Sequence, residues 1–235
     1  MAVRRRLQVR MCLVFCGLLL VAVTAAWAGP KVVVRDNDFD FGYTPEGLSA
    51  IHRFWVVNEG DQPLKINKVR PSCGCTTVPL TKNVLAPKDS VAMDLKFDTK
   101  RFHGKVSKSA TIEDADTTQH DEKLRFTATI NDFQGWVEPT PWLVYLDTLG
   151  KEEQVIHLMN KSVAPYQISI KSPPANHLEF RLLGTEIPPH GEIQAVVKTT
   201  AQTPIGEYYS SVTLYCDGPE PHSITIPIYG MGYLK

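Results

Sequence analysis

Residues 90–98 read Ser-Val-Ala-Met-Asp-Leu-Lys-Phe-Asp, so Val91, Met93, Leu95 and Phe97 fall on every second position. That is the period of a strand with one buried face, because successive side chains of an extended chain point to opposite sides. The alternation returns at Leu124, Phe126, Ala128 and Ile130, at Ile193, Ala195 and Val197, and at Ile224, Ile226 and Ile228. Between these runs stand turn formers: Asn58-Glu59-Gly60-Asp61, Ala86-Pro87-Lys88-Asp89, Pro188-Pro189-His190-Gly191 and Cys216-Asp217-Gly218-Pro219. After the first 28 residues no stretch keeps a helical period over about 12 residues. Short strands separated by such turns predict an all-β fold built as an antiparallel sandwich.

Sliding the sequence on itself gives identities at a constant offset of 102, among them Asn58 with Asn160, Pro63 with Pro165, Pro87 with Pro189, Gly104 with Gly206 and His120 with His222. Conservative pairs fill the gaps, such as Phe54 with Ile156 and Leu95 with Val197. A repeat this long exceeds the roughly 20 to 50 residues of a solenoid unit, so each copy is expected to carry its own core. The expected organisation is two tandem immunoglobulin-like sandwiches, residues 31–131 and 139–235, joined by a short linker at 132–138. Pro139 and Pro141 stiffen the join and should restrict the relative orientation of the two domains. Phe54, Val56, Met93, Leu95 and Ile112 are expected inside the first domain, and Trp55, Trp136 and Trp142 in cores or in the seam between domains.

The first 28 residues divide like a secretory signal: Arg4, Arg5, Arg6 and Arg10, then an uncharged apolar run from Met11, then Ala26-Trp27-Ala28. Cleavage is expected before Gly29, giving a periplasmic or secreted protein whose only membrane contact would be an uncleaved signal. Of 25 basic residues, the 4 arginines of the signal leave 21 against 25 acidic ones, a net charge of −4. That balance argues against a nucleic-acid partner. Cys12 and Cys16 also leave with the signal, so Cys73, Cys75 and Cys216 are the thiols that meet an oxidising compartment.

Phe39-Asp40-Phe41-Gly42, then His52, Phe54, Val56, Asn58 and Gly60, then Cys73-Gly74-Cys75-Thr76 and Leu85-Ala86-Pro87 form a pattern over about residues 37 to 131. It resembles the bacterial family DUF1573, a domain of unknown function, itself similar to the immunoglobulin-like domains of ciliary proteins such as hydin. The second copy keeps the asparagine and the proline turn but has Ala175 and His177 where the cysteines would fall. The resemblance implies an exported seven-strand-type sandwich; it supplies a fold and not a function.

The chain holds no His-Glu-x-x-His, no Gly-x-Ser-x-Gly and no phosphate-cradling glycine loop, and an enzyme is not expected. Gly230-Met231-Gly232 reads as an irregular end of the last strand. Cys73-Gly74-Cys75 is the constellation with chemical potential, and three readings fit it. It can be an inert bridge, or a pair packed as small hydrophobes. Two adjacent thiolates suit Cu(I), with His103 the histidine to test beside them, although no cofactor is required. A bridge closed at Gly74 could instead exchange with other thiols. Cys216 reads as a lone thiol at a strand end, and His52 and His157 as half-exposed partners of their cross-strand neighbours. Asn58 and Asn160 sit where an asparagine side chain bonds the local backbone; Asn160-Lys161-Ser162 also fits a glycosylation acceptor, which Asn58-Glu59-Gly60 does not. The expected function is that of an exported envelope protein that binds or scaffolds another envelope protein or surface component through edge strands and loops, with a Cu(I) or thiol-redox protein using Cys73 and Cys75 as the alternative.

Overall fold

A computed structural model describes residues 29–114 and 121–234. The expected signal peptide with Cys12 and Cys16, and also His120, lie outside the described residues. Among the described residues eighteen strands make up the regular structure and there is no helix.

The first half contains β1 (Val32–Arg35), β2 (Asp38–Thr44), β3 (Ser49–Asn58), β4 (Leu64–Pro71), β5 (Thr76–Thr77), β6 (Val84–Leu85), β7 (Ser90–Asp98), β8 (Gly104–Asp114) and β9 (Glu122–Ile130). The second half contains β10 (Val137–Thr140), β11 (Val144–Asp147), β12 (Glu153–Asn160), β13 (Tyr166–Ser172), β14 (Leu178–Leu182), β15 (Glu186–Ile187), β16 (Glu192–Thr199), β17 (Gly206–Asp217) and β18 (His222–Gly232). In each half one sheet has the same build: β1-β3-β7-β5 in the first and β10-β12-β16-β14 in the second. The stretch 90–98 is β7, and Val91, Met93, Leu95 and Phe97 are buried while its alternate residues are not. Phe54, Val56 and Ile112 join them in a first apolar cluster, and Val137 to Ile228 supply a second.

The opposing sheets do not stay separate. β15-β13-β17-β18 of the second half and β2-β9-β8-β4-β6 of the first form one ten-stranded sheet, with β11 alongside β18. The join is narrow, a parallel pairing at Ile224 and Tyr43. Side chains complete it. Ser211 Oγ accepts from Ile51 N at 2.8 Å and donates to Ile51 O at 2.9 Å, closing part of the edge of β3 that β1 leaves open. Thr225 Oγ1 donates to Phe41 O at 2.6 Å, and Lys171 Nζ donates to Asp40 O at 2.7 Å and to Ser223 Oγ at 3.0 Å. Gly42 has φ +63°, and a Cβ there would lie 1.9 Å from Ser223 O, so close approach of the two halves requires glycine.

Several sequence expectations change. β10 begins at Val137, inside the stretch read as linker, because Val137 pairs with Asn160 and enters the second core. Gly230 and Gly232 lie in regular β18, paired with Tyr208 and Gly206, and not in an irregular end. A Cβ at Gly230 would fall 2.0 Å from the Tyr208 ring, so glycine here makes room for an aromatic. Trp55 is 46% exposed and Trp136 39%, contrary to the expectation that they fill cores. Phe54 and Val56 occupy the inner face of β3, which leaves Trp55 the outer one. Trp142 does lie in the seam, packed on Tyr43 and Phe133 with centroids at 4.5 and 5.2 Å.

Candidate functional site

Two asparagines hold the ends of the strands that carry the loops. Asn58 is fully buried; its Nδ2 donates to Gln62 O, Leu85 O and Ala86 O at 2.7, 3.1 and 3.1 Å, and its Oδ1 accepts from Gly60 N at 3.0 Å. Asn160 makes the same four bonds, to Ala164 O, Ile187 O, Pro188 O and from Ser162 N, at 2.8, 3.2, 3.0 and 2.9 Å. Lys88 and His190, one residue before the next turn's end in each half, share a positive φ of 65° and 54°. With its amide buried and spent on three carbonyls, Asn160 is a structural hub, and the glycosylation reading of 160–162 does not hold.

Cys73 and Cys75 are joined in a disulfide within the turn that precedes β5, with Cα atoms 5.2 Å apart. Gly74 is exposed and has open space around it, which lets the chain fold back there. Both sulfurs are half-buried and lie near Thr76 Oγ1, at 3.5 Å from Cys73 and 3.8 Å from Cys75. Cys75 packs against the first core. The turn is anchored from outside: Ser72 N donates to Ser109 O at 2.8 Å and Asp98 N to Cys75 O at 2.9 Å. While bonded to each other the two sulfurs are not thiolates and cannot ligate Cu(I). His103 is exposed, and among the described residues no group of three or more His, Cys, Asp or Glu side chains is arranged to hold a metal ion. Cys216 is free and fully buried in β17, and burial pushes its thiol up to about 12, leaving it inert.

The turn equivalent to Cys73–Cys75 in the second half, Ala175-Asn176-His177, faces the first half across a groove of about 340 Å³. Arg53 and Asp94 lie opposite each other on β3 and β7 and form a bidentate pair, Nε to Oδ1 at 2.6 Å and Nη2 to Oδ2 at 2.8 Å. Arg53 Nη1 also reaches Asn176 Oδ1 at 3.5 Å across the groove. The carboxylate holds the guanidinium pKa above its usual value. Trp55, which is exposed, lines the groove together with Pro173 and Pro174. At the floor His52 stacks on Phe39 with centroids 3.5 Å apart and bonds Ser172 Oγ at 2.8 Å, so it serves the seam and not only its strand neighbours. Burial first, then Lys171, lowers its pKa to about 4, against an opposing pull from Asp94. His157 does meet a neighbour on the next strand, Glu192 Oε1 at 3.3 Å. The groove escaped the sequence reading, because Arg53 and Asp94 become partners only through the β3–β7 register and Asn176 only through the joining of the halves.

The fold and these sites define a class: an all-β protein of two immunoglobulin-like sandwiches sharing one sheet. Residues 32–130 match the family described as Protein of unknown function (DUF1573), so the first domain carries the family's pattern. A search of curated proteins finds no match. Similar solved structures include a protein of unknown function from Porphyromonas gingivalis W83, 16% identical, covering 85% of this chain and 99% of that one at a TM-score of 0.34. The ASH / PapD-like domain 7 of human CEP192 is 13% identical over 44% of this chain and 87% of its own, at 0.38. The periplasmic chaperone SfaE is 11% identical over 86% and 100%, at 0.34.

Proposed function

We infer that this is an exported, non-catalytic binding protein of the cell envelope, which holds a segment of another envelope protein in the groove between its domains. The observation that supports the reading is the exposed Trp55 indole beside the Arg53–Asp94 pair, in a cleft whose two walls are locked together by the seam. A large aromatic is costly to leave in water, and an aromatic next to an arginine is the composition that dominates binding energy at protein interfaces. A fixed cleft adds to this, since little ordering cost remains when a partner enters. The apolar run at the start of the chain supports export, and among the described residues no helix is long and apolar enough to cross a membrane.

The reading is tested by placing a photo-crosslinking amino acid at Trp55 or at the exposed Val163 in the producing cell. A discrete adduct with one envelope protein from position 55, absent at 163 and weakened by Asp94→Ala, is expected. Equal labelling at both positions, or none at 55, rules the groove out.

A further inference from the structure

We propose that the Cys73–Cys75 bridge is a reversible thiol–disulfide exchange centre that accepts two electrons from the dithiol of a partner protein. The argument begins with what the bridge fails to do. It closes a ring of three residues within one turn, so it ties no distant parts of the fold together, and a loop that short restricts the unfolded chain least. The turn is instead held by backbone bonds that owe nothing to the sulfurs: Ser72 to Ser109 of β8, Asp98 to Cys75, and Thr76 paired with Phe97 of β7. Breaking the bridge therefore leaves both cysteines where they are, ready to close again.

The surroundings favour exchange over an inert link. Gly74 is exposed with nothing within 4 Å of where a side chain would start, so a partner can approach the bridge from that side. Cys75 packs on the core, whereas Cys73 does not, which makes Cys73 Sγ the sulfur open to attack. Thr76 is nearly fully buried, and its hydroxyl lies against both sulfurs, placed to donate to a thiolate as it forms. A partner thiolate attacks Cys73 Sγ and forms a mixed disulfide. The Cys73–Cys75 bond breaks, its electron pair goes to Cys75 Sγ, and that thiolate is held by Thr76 until it takes a proton. The partner's second thiol then displaces Cys73, closing the partner's disulfide. Two electrons and two protons have passed from the partner to the pair, and no other reactant is consumed.

The test uses the whole exported protein, oxidised, with dihydrolipoamide as the dithiol probe, followed by alkylation and mass measurement of the intact chain. Reduction should add two alkyl groups per chain at Cys73 and Cys75, with Cys216 unlabelled in the folded state and the thermal midpoint shifted little. Thr76→Val should slow the reduction about three- to tenfold, the kinetic equivalent of one hydrogen bond, while Thr76→Ser keeps the parent rate. In single variants the thiol of Cys75→Ser should alkylate faster than that of Cys73→Ser. A bridge reduced only when the protein unfolds, or a Thr76→Val rate equal to the parent's, overturns the proposal.

Discussion

Asn58 and Asn160 show how one side chain can fix a loop. Each amide donates to three carbonyls where strands end, one of which also takes a backbone N–H of the turn, and each side-chain oxygen takes a backbone N–H two residues on. Removal leaves several buried groups unpaired, so Asn58→Ala and Asn160→Ala should each cost on the order of 3 kcal/mol in denaturant unfolding. Asn58→Asp should be no milder, since a carboxylate has no N–H to offer three carbonyls. His52 gives the chain a pH response. An unfolded imidazole protonates near 6.5 but the folded one only at about 4, so the unfolded state binds more protons between those values. Stability should therefore fall as pH drops from about 6.5 to 4, by on the order of 3 kcal/mol in all, with no further loss from this group below that. Unfolding midpoints of the parent and of His52→Gln, compared across that range, should converge as the pH is lowered.

At the scale of the strand, parity decides what each residue does. β3 buries Phe54 and Val56, so Arg53 and Trp55 must face outward and meet Asp94 and Ala92 of β7. The bare edge of β3 beyond β1 is the place where the second domain docks, through Ser211 on both backbone groups of Ile51. Two glycines make close packing sterically feasible, Gly42 at the seam and Gly230 inside the second domain. Gly42→Ala would place a methyl in the Ser223 carbonyl and demand a positive φ of a residue with a side chain, and should cost about 2 to 4 kcal/mol. Gly230→Ala would strike the Tyr208 ring within the second domain and should destabilise similarly. Gly74→Ala, with open space around it, should be close to neutral. Chemical denaturation of the three variants side by side checks the order.

Over the whole molecule, the shared sheet and the buried Thr213–Thr225–Phe41 chain couple the two halves. Calorimetry of the parent should give one cooperative transition. A Ser211→Ala, Thr225→Val, Lys171→Met variant should split it in two, because it removes seam bonds while leaving both cores intact. Strand identity, the inward set Val91, Met93, Leu95 and Phe97, and the equivalence of Asn58 with Asn160 were legible in the sequence. The alternation of side chains and the chemistry of turns are local, and they repeat wherever the same residues recur. The resemblance carried by Phe39 to Phe97, with its Cys-Gly-Cys-Thr, was legible too. The exposure of Trp55, the contacts of His52 across the seam and the groove around Arg53 were not. Each depends on which surface packs beside it: His52 and Phe39 meet Ser172 and Lys171 only because β2 and β18 join, and those residues lie more than a hundred positions apart. The sequence by itself determined the strands, the two cores and the hubs at their turns, because those follow from each residue's near neighbours. Only the tertiary structure decided the seam and the groove, because contacts between distant segments are set by shape and register that no local pattern encodes.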